Sequence, residues 1–249
     1  MRPQFRFALM SGLLALLSLP ALTVAQTAGP AVPQTAAATP RWAELLSPTL
    51  TTRQKACDAL AAFEKVNPSP AGQKYTSAEL PAEQTVGQQL TDRRSSPGVP
   101  ERVVDNILVQ LPAAIDAVIC ANAARENRTV DVKNVLTTTT FYVQTDIAMV
   151  RDALKFTATL RFLDQNGKLL AEVEQHRLSK PADPAQWERR CVEGECRWHG
   201  FSLFKFGFPR DSAQVISNLH TLQLVFDRGY GTEKRTYVAA DFTRTELKD

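Results

Sequence analysis

The chain has 249 residues, with 29 Lys and Arg against 26 Asp and Glu. Arg2 and Arg6 lie in a leading segment without acids, so the remainder carries 27 minus 26, or +1. That balance removes the case for a nucleic-acid partner or an acidic membrane surface, and the length accommodates one large domain or two modest ones.

Arg2 and Arg6 form a basic start, Phe7 to Leu19 is a largely apolar run, Pro20 breaks it, and Thr23-Val24-Ala25 offers small residues for cleavage. Residues 1–25 therefore read as a secretory signal peptide, with a run shorter than the ~18 residues that span a bilayer. No cysteine follows the run to take a lipid, and no later stretch is apolar enough to cross a membrane. Residues 26–38 are rich in Ala, Thr and Pro, without charge, and read as a flexible tether. The basic start and the Ala-rich tether point to a bacterial exported chain.

Residues 39–126 read as a helical region. Thr39-Pro40 resembles an N-cap followed by proline at the first helical position, and Ser47-Pro48 closes that short helix after Trp42, Leu45 and Leu46. A second helix is expected from Thr51, with capping-box spacing through Gln54 and a stripe of Ala56, Cys57, Leu60 and Phe63. Residues 67–100 are rich in Pro, Gly, Ser and Gln and read as a long loop with one helical turn near 82–89. From Glu101 to Ala124 the face Val104, Ile107, Leu108, Leu111, Ile115, Val118 and Ile119 predicts helix, either kinked at Pro112 or split there into two.

Residues 127–249 change period to two. Strand signals occur at Val130 and Val132 and from Thr137 to Val143. Asn166-Gly167 predicts a type I′ turn for a hairpin from Lys155 to Leu178, pairing Phe162 with Ala171, Leu160 with Val173, Arg161 with Glu172, Thr159 with Glu174 and Thr157 with His176. A second hairpin, 187–209, turns at Glu193-Gly194 and places Cys196, Trp198, Phe204, Phe206 and Phe208 on one face. A last pair carries Leu222, Leu224 and Phe226 opposite Val238, Ala240 and Phe242. Seven to eight short strands with turns between them predict an antiparallel β-sandwich of immunoglobulin-like type, with a closed barrel as the other arrangement. The fold class expected is thus α+β, a disulfide-stapled helical region followed by the sandwich.

Four cysteines in an exported chain are expected to be bridged. Turning at Glu193-Gly194 sets Cys191 opposite Cys196, within disulfide reach, and leaves Cys57 to pair with Cys120. The second bridge closes a loop of about 60 residues, worth roughly 3–4 kcal/mol.

Metalloprotease, phosphate-loop and nucleophile-elbow motifs are absent. Ser202-Leu203-Phe204-Lys205 has the Ser-x-x-Lys spacing of penicillin-binding enzymes, but in a strand those two residues face opposite ways. Asp164-Gln165-Asn166-Gly167 starts like a calcium loop and lacks its later ligands, so it reads as a turn. His176, His199 and His220 are expected to be exposed and without a metal. Phe201 and Leu203 share parity with His199 on the exterior face, as a candidate binding patch or as a floor covered by the helices. No catalytic residue, cofactor or metal is assigned. The expected role is a non-catalytic binding or accessory module of the cell envelope or extracellular space, its partner another envelope or extracellular protein or a surface polymer. An exported hydrolase with a site built from loops and a histidine-based metal-binding protein are the alternatives.

Overall fold

Ten strands in two sheets, four α-helices and two disulfides make a mixed α+β fold in the computed structural model, which describes residues 40–66, 68, 89–94, 104–133, 138–229 and 231–249. The leader, the tether and the helical turn expected near 82–89 fall outside these residues, Gln89 apart. The two bridges suit an oxidising compartment. Among the described residues no helix is long and apolar enough to cross a membrane.

Helix α1 (Trp42–Leu46) starts two residues later than the Thr39-Pro40 signal suggests. Its entry is held by the Arg41 N–H, which donates to the Glu44 carboxylate at 3.0 Å. Helix α2 (Leu50–Val66) is capped by Thr49, whose hydroxyl accepts the Thr52 N–H at 3.1 Å, rather than by Thr51.

The helix expected over 101–124 is corrected in its first half, while the split at Pro112, with a helix starting there, is borne out. Val104–Gln110 is strand β2, and helix α3 (Pro112–Arg125) begins at Pro112. Ile107, Val109 and Leu111 alternate, all buried, so the same apolar residues satisfy a period of two, and Pro112 favours a helix start over a helix interior. Helix α3 buries Ala114, Ala117, Cys120, Ala121 and Ala123, whereas Ile119 is 36% exposed. Small residues permit the close approach to α2 that the Cys57–Cys120 bridge requires, with Cα atoms 4.9 Å apart. The long loop expected over 67–100 contains strand β1 (Leu90–Asp92).

Strand β3 (Thr139–Ile147) follows; Val130 and Val132 lie outside any strand. Strands β4 (Thr157–Leu163) and β5 (Leu169–Glu174) form the hairpin in the expected register from Thr159–Glu174 to Phe162–Ala171. Its turn differs. Only Gly167 has positive φ, a bulge shifts Leu163 opposite Leu169, and Asp164 accepts the N–H groups of Asn166 and Lys168. A wider loop around an Asp side chain thus replaces the two-residue turn. Thr157 does not pair with His176. The chain leaves β5 after Glu174, and the His176 N–H donates to Lys205 O on the other sheet.

Strands β6 (Trp187–Val192) and β7 (Glu195–Phe206) turn at Glu193 and Gly194, with φ of 51° and 88°, and bring Cys191 opposite Cys196 in a disulfide. Trp198 is only half-buried and Cys196 exposed, so the buried face of β7 is Gly200, Ser202, Phe204 and Phe206. At Gly200 the start of β6 crosses closely. An added Cβ would lie 2.3 Å from Gln186 O and 2.7 Å from the Trp187 ring. Gly200→Ala is therefore expected to destabilise by about 1–3 kcal/mol, as overpacking does, which urea denaturation would register as a lower midpoint at unchanged slope.

Helix α4 (Ser212–Asn218) leads into strands β8 (Thr221–Asp227) and β9 (Thr232–Val238), and β10 (Glu246–Leu247) ends the chain. Val238, Ala240 and Phe242 do not form the expected strand, although Phe242 is buried in the core. Instead the inward residues of β9 are Glu233, Arg235 and Tyr237, and Ala239–Thr243 is a 3-10 turn.

The sheets have strand orders β10-β1-β2-β3-β7-β6 and β5-β4-β8-β9. Their inner faces meet through aromatic contacts, Phe204 on Phe226 at 5.6 Å and Phe141 on Tyr237 at 6.0 Å. The expected strand arrangement is not reproduced. Among the described residues, 127–249 hold eight strands, within the expected number, but β1 and β2 from the region read as loop and helix join the same sheet, and β1 pairs with β10 in parallel. Helix α1 fits against the same core, with Trp42 against Phe242 and its Nε1–H donating to His220 O at 2.9 Å.

Candidate functional site

The outer face of the six-stranded sheet gathers the polar groups that local sequence separates. Pairing of β3 with β7 sets Asp146 beside His199, Gln144 beside Phe201 and Tyr142 beside Leu203. Pairing of β6 with β7 sets Glu188 on the other side of His199. Strand β2 completes the group through a bulge. Val104 pairs with Thr145 but Asn106 with Gln144, so Asp105 is an extra residue between them. A bulge re-aims side chains that simple alternation would separate. Here Asp105 lies 3.5 Å from His199 Nδ1, and the next residue, Asn106, hydrogen-bonds Gln144 on the same face.

His199 is the centre of this group. Its Nδ1 lies 2.6 Å from Asp146 Oδ1, and its Nε2 lies 2.5 Å from the Gln144 amide nitrogen. Asn106 donates to Gln144 Oε1, so the Gln144 amide nitrogen faces His199; as that nitrogen can only donate, Nε2 accepts and the Nδ1–H donates to Asp146. The His199 side chain is 17% exposed, whereas Asp105 and Asp146 are 39% and 48% exposed, so the ring is held and the carboxylates meet solvent. The expectation of an exposed histidine is corrected for His199. Its exterior parity is right, but neighbouring strands bury the ring. Ligand-type atoms of Asp105, Asp146 and His199 all lie within 4.8 Å of one another, a spacing a single cation spans.

The other two histidines do not join it. His176 sits beyond β5, where its Nδ1 accepts the Leu178 N–H at 3.2 Å. His220 precedes β8 in the four-stranded sheet, and its N–H donates to Leu163 O.

Phe201 and Leu203 are half-buried on the same face, and Phe201 meets Tyr142 edge-on at 6.4 Å. Burial pushes the Tyr142 phenol above its ordinary range. None of the four helices makes an extended contact with β7 among the described residues, so the covering by helices expected for Phe201 and Leu203 is not seen. Past His199 the β6–β7 ribbon continues as an arm, and a shallow cleft runs onto it, lined by Arg190, Val192, Arg197 and the Asp146–His199 pair. Ser202 and Lys205 point to opposite faces. Ser202 is fully buried, and its hydroxyl donates to Pro181 O at 2.8 Å.

Strand parity alone places Asp146 and His199 on exterior faces. Their meeting depends on the β3–β7 register, and that of Asp105 on the bulge, neither of which has a local signal. Comparison of the chain with protein-family models, curated proteins and solved structures finds no match.

Proposed function

We propose that the protein is an exported, non-catalytic binding module that engages another envelope or extracellular protein. Its working surface is the outer face of the six-stranded sheet and the arm that extends it. The observation that carries this reading is the arm itself. Five of the six residues of β6 are exposed, and Val192 at its tip is 71% exposed. A two-stranded ribbon with no core of its own is marginal in water, and the Cys191–Cys196 bridge holds this one in register where packing does not. At its base, Phe201, Leu203 and Tyr142 form an apolar area bordered by charged groups, the composition of a protein contact surface. The leader and the two bridges support export into an oxidising compartment. The two facing sheets act as a rigid scaffold, which we read as a sandwich related to the immunoglobulin type in layering and not in strand order.

A photo-crosslinking residue at Val192 or Phe201, introduced into the mature chain in its own envelope, is expected to give one discrete protein adduct. The same residue at Glu174, exposed on the four-stranded sheet, should give none. Equal adducts at all three positions, or none at Val192 and Phe201, would remove the reading. Adducts of heterogeneous mass would point to a surface polymer instead. The hydrolase alternative draws on the His199–Asp146 contact, and turnover of an ester, glycoside or peptide that disappears in Asp146→Asn would establish it in place of binding.

A further inference from the structure

We infer that Asp105, Asp146 and His199 form a site for one divalent first-row transition metal ion, of the kind Zn²⁺ represents. Three adjacent strands contribute one ligand each, and their donor atoms lie within 4.8 Å of one another. Bonds of about 2.0–2.2 Å place the donors of a tetrahedral ion about 3.4 Å apart. The His199–Asp105 separation of 3.5 Å already matches, and the His199–Asp146 separation of 2.6 Å must open by less than an ångström. One imidazole with two carboxylates is a borderline-hard donor set, suited to Zn²⁺ or Mn²⁺ rather than to Cu(I). The partly exposed carboxylates leave the fourth position to water.

Two features go beyond proximity. The β2 bulge turns consecutive residues to one face, so Asp105 reaches the ligand position while Asn106 reaches Gln144. Uninterrupted alternation would send one of the two into the core. The second feature is the support behind the ring, the outer partner that a metal-bound histidine ordinarily has. With a metal on Nδ1 the ring proton resides on Nε2, which must then donate. Gln144 accepts it when its amide is turned over, and Gln144 Nε2–H then donates to Asn106. That bond requires the Asn106 amide to turn over as well, bringing its Oδ1 to face Gln144, and Asn106 Oδ1 has no hydrogen-bond partner to give up in doing so. The amide relay thus serves both tautomers, Nδ1–H without metal and Nε2–H with it.

Isothermal titration of the metal-free, untagged mature chain with Zn²⁺, checked by elemental analysis after dialysis, is expected to show one ion per chain. His199→Ala and Asp146→Asn should each weaken binding at least tenfold. Gln144→Leu should weaken it 10–100-fold, the usual effect of losing an outer partner. His176→Ala and His220→Ala should leave it unchanged. Zn²⁺ should also move the His199 ring nitrogen resonances from the Nδ1–H to the Nε2–H pattern, a change that surface binding elsewhere does not produce. Circular dichroism controls for folding, and His199→Gln serves if the alanine variant unfolds. Absence of stoichiometric binding, or binding indifferent to both His199→Ala and Asp146→Asn, would overturn the site. The inference does not rest on partner capture, since crosslinking at Val192 can succeed or fail independently of Zn²⁺.

Discussion

Replacing Cys57 and Cys120 together by serine is expected to lower the unfolding free energy by about 4 kcal/mol, the chain-entropy value for a loop of this length, and to release α2 selectively. The bridge spans 63 positions. Among the described residues, what else holds α2 is a small cluster and two largely buried ion pairs, Arg53–Asp116 and Arg125–Glu64. The cluster between α2 and α3 consists of Leu60, Ala117, Cys120 and Ala121, with Cys57 and Val118 at its edge. One buried leucine contributes about 1.5–3 kcal/mol, against about 1–2 kcal/mol of backbone entropy for each ordered residue. Arg53 and Asp116 form an ion pair at 2.8 Å, both largely buried. Burial raises the Asp116 carboxyl above its ordinary value despite the Arg53 charge, so the pair does not offset its own desolvation. Hydrogen exchange of the double variant should show protection lost over 50–66 while β3 and β7 keep theirs. Parallel loss in the sheets would mean instead that α2 belongs to the same cooperative unit. Removing Cys191 and Cys196, whose loop is far shorter, should cost only about 2 kcal/mol.

That contrast follows how much of the fold can be read locally. The β4–β5 and β6–β7 registers are legible because a turn residue and the cross-strand pairs are close in sequence and agree independently. The cysteine pairing follows from the second of these by elimination. Strand β2 is misread because Val104, Ile107, Leu108 and Leu111 fit a helical stripe while Ile107, Val109 and Leu111 fit alternation. Seven residues are too few for periodicity to decide between them. Strand β1 has three residues and no pattern at all, and its place between β2 and β10 is a tertiary fact. The site is less legible than the fold. Phe201, Leu203 and His199 could be placed on an exterior face by parity, but the groups that meet them from β2 and β3 lie more than 50 residues away in sequence.

The parity error in β9 leads to the other large effect. Arg235→Met is expected to destabilise by about 3–5 kcal/mol, the cost of breaking a buried ion pair by removing one member. Val238 invites a core face through the even positions of β9, yet Glu233, Arg235 and Tyr237 point inward, each 5% exposed or less. They are accommodated because β1 supplies complementary groups. Arg235 Nε donates to Glu233 at 2.8 Å, and its Nη1 donates to Arg94 O. Asp92, fully buried, accepts from Arg94 Nε at 2.9 Å and lies 3.9 Å from Arg235. Arg94 Nη2 donates to Thr236 O, and its guanidinium sits over the Tyr237 ring at 5.5 Å. These charges join β9, at the edge of one sheet, to β1, next to the edge of the other, across the interior. Changing Glu233 and Arg235 together to methionine removes both members of the pair, so it should recover much of the loss. A double-mutant cycle by urea denaturation measures the coupling, and additivity of the two single losses would deny it. The same cluster sets a pH limit. Burial, and then the Asp92 carboxylate, push the Tyr237 phenol well above its ordinary value. Above about pH 10 the unfolded chain therefore loses this proton while the native one keeps it, and stability falls as pH rises further. Tyr237→Phe should remove that part of the alkaline loss, whereas a charge on the folded phenol would be inconsistent with its burial beside Asp92.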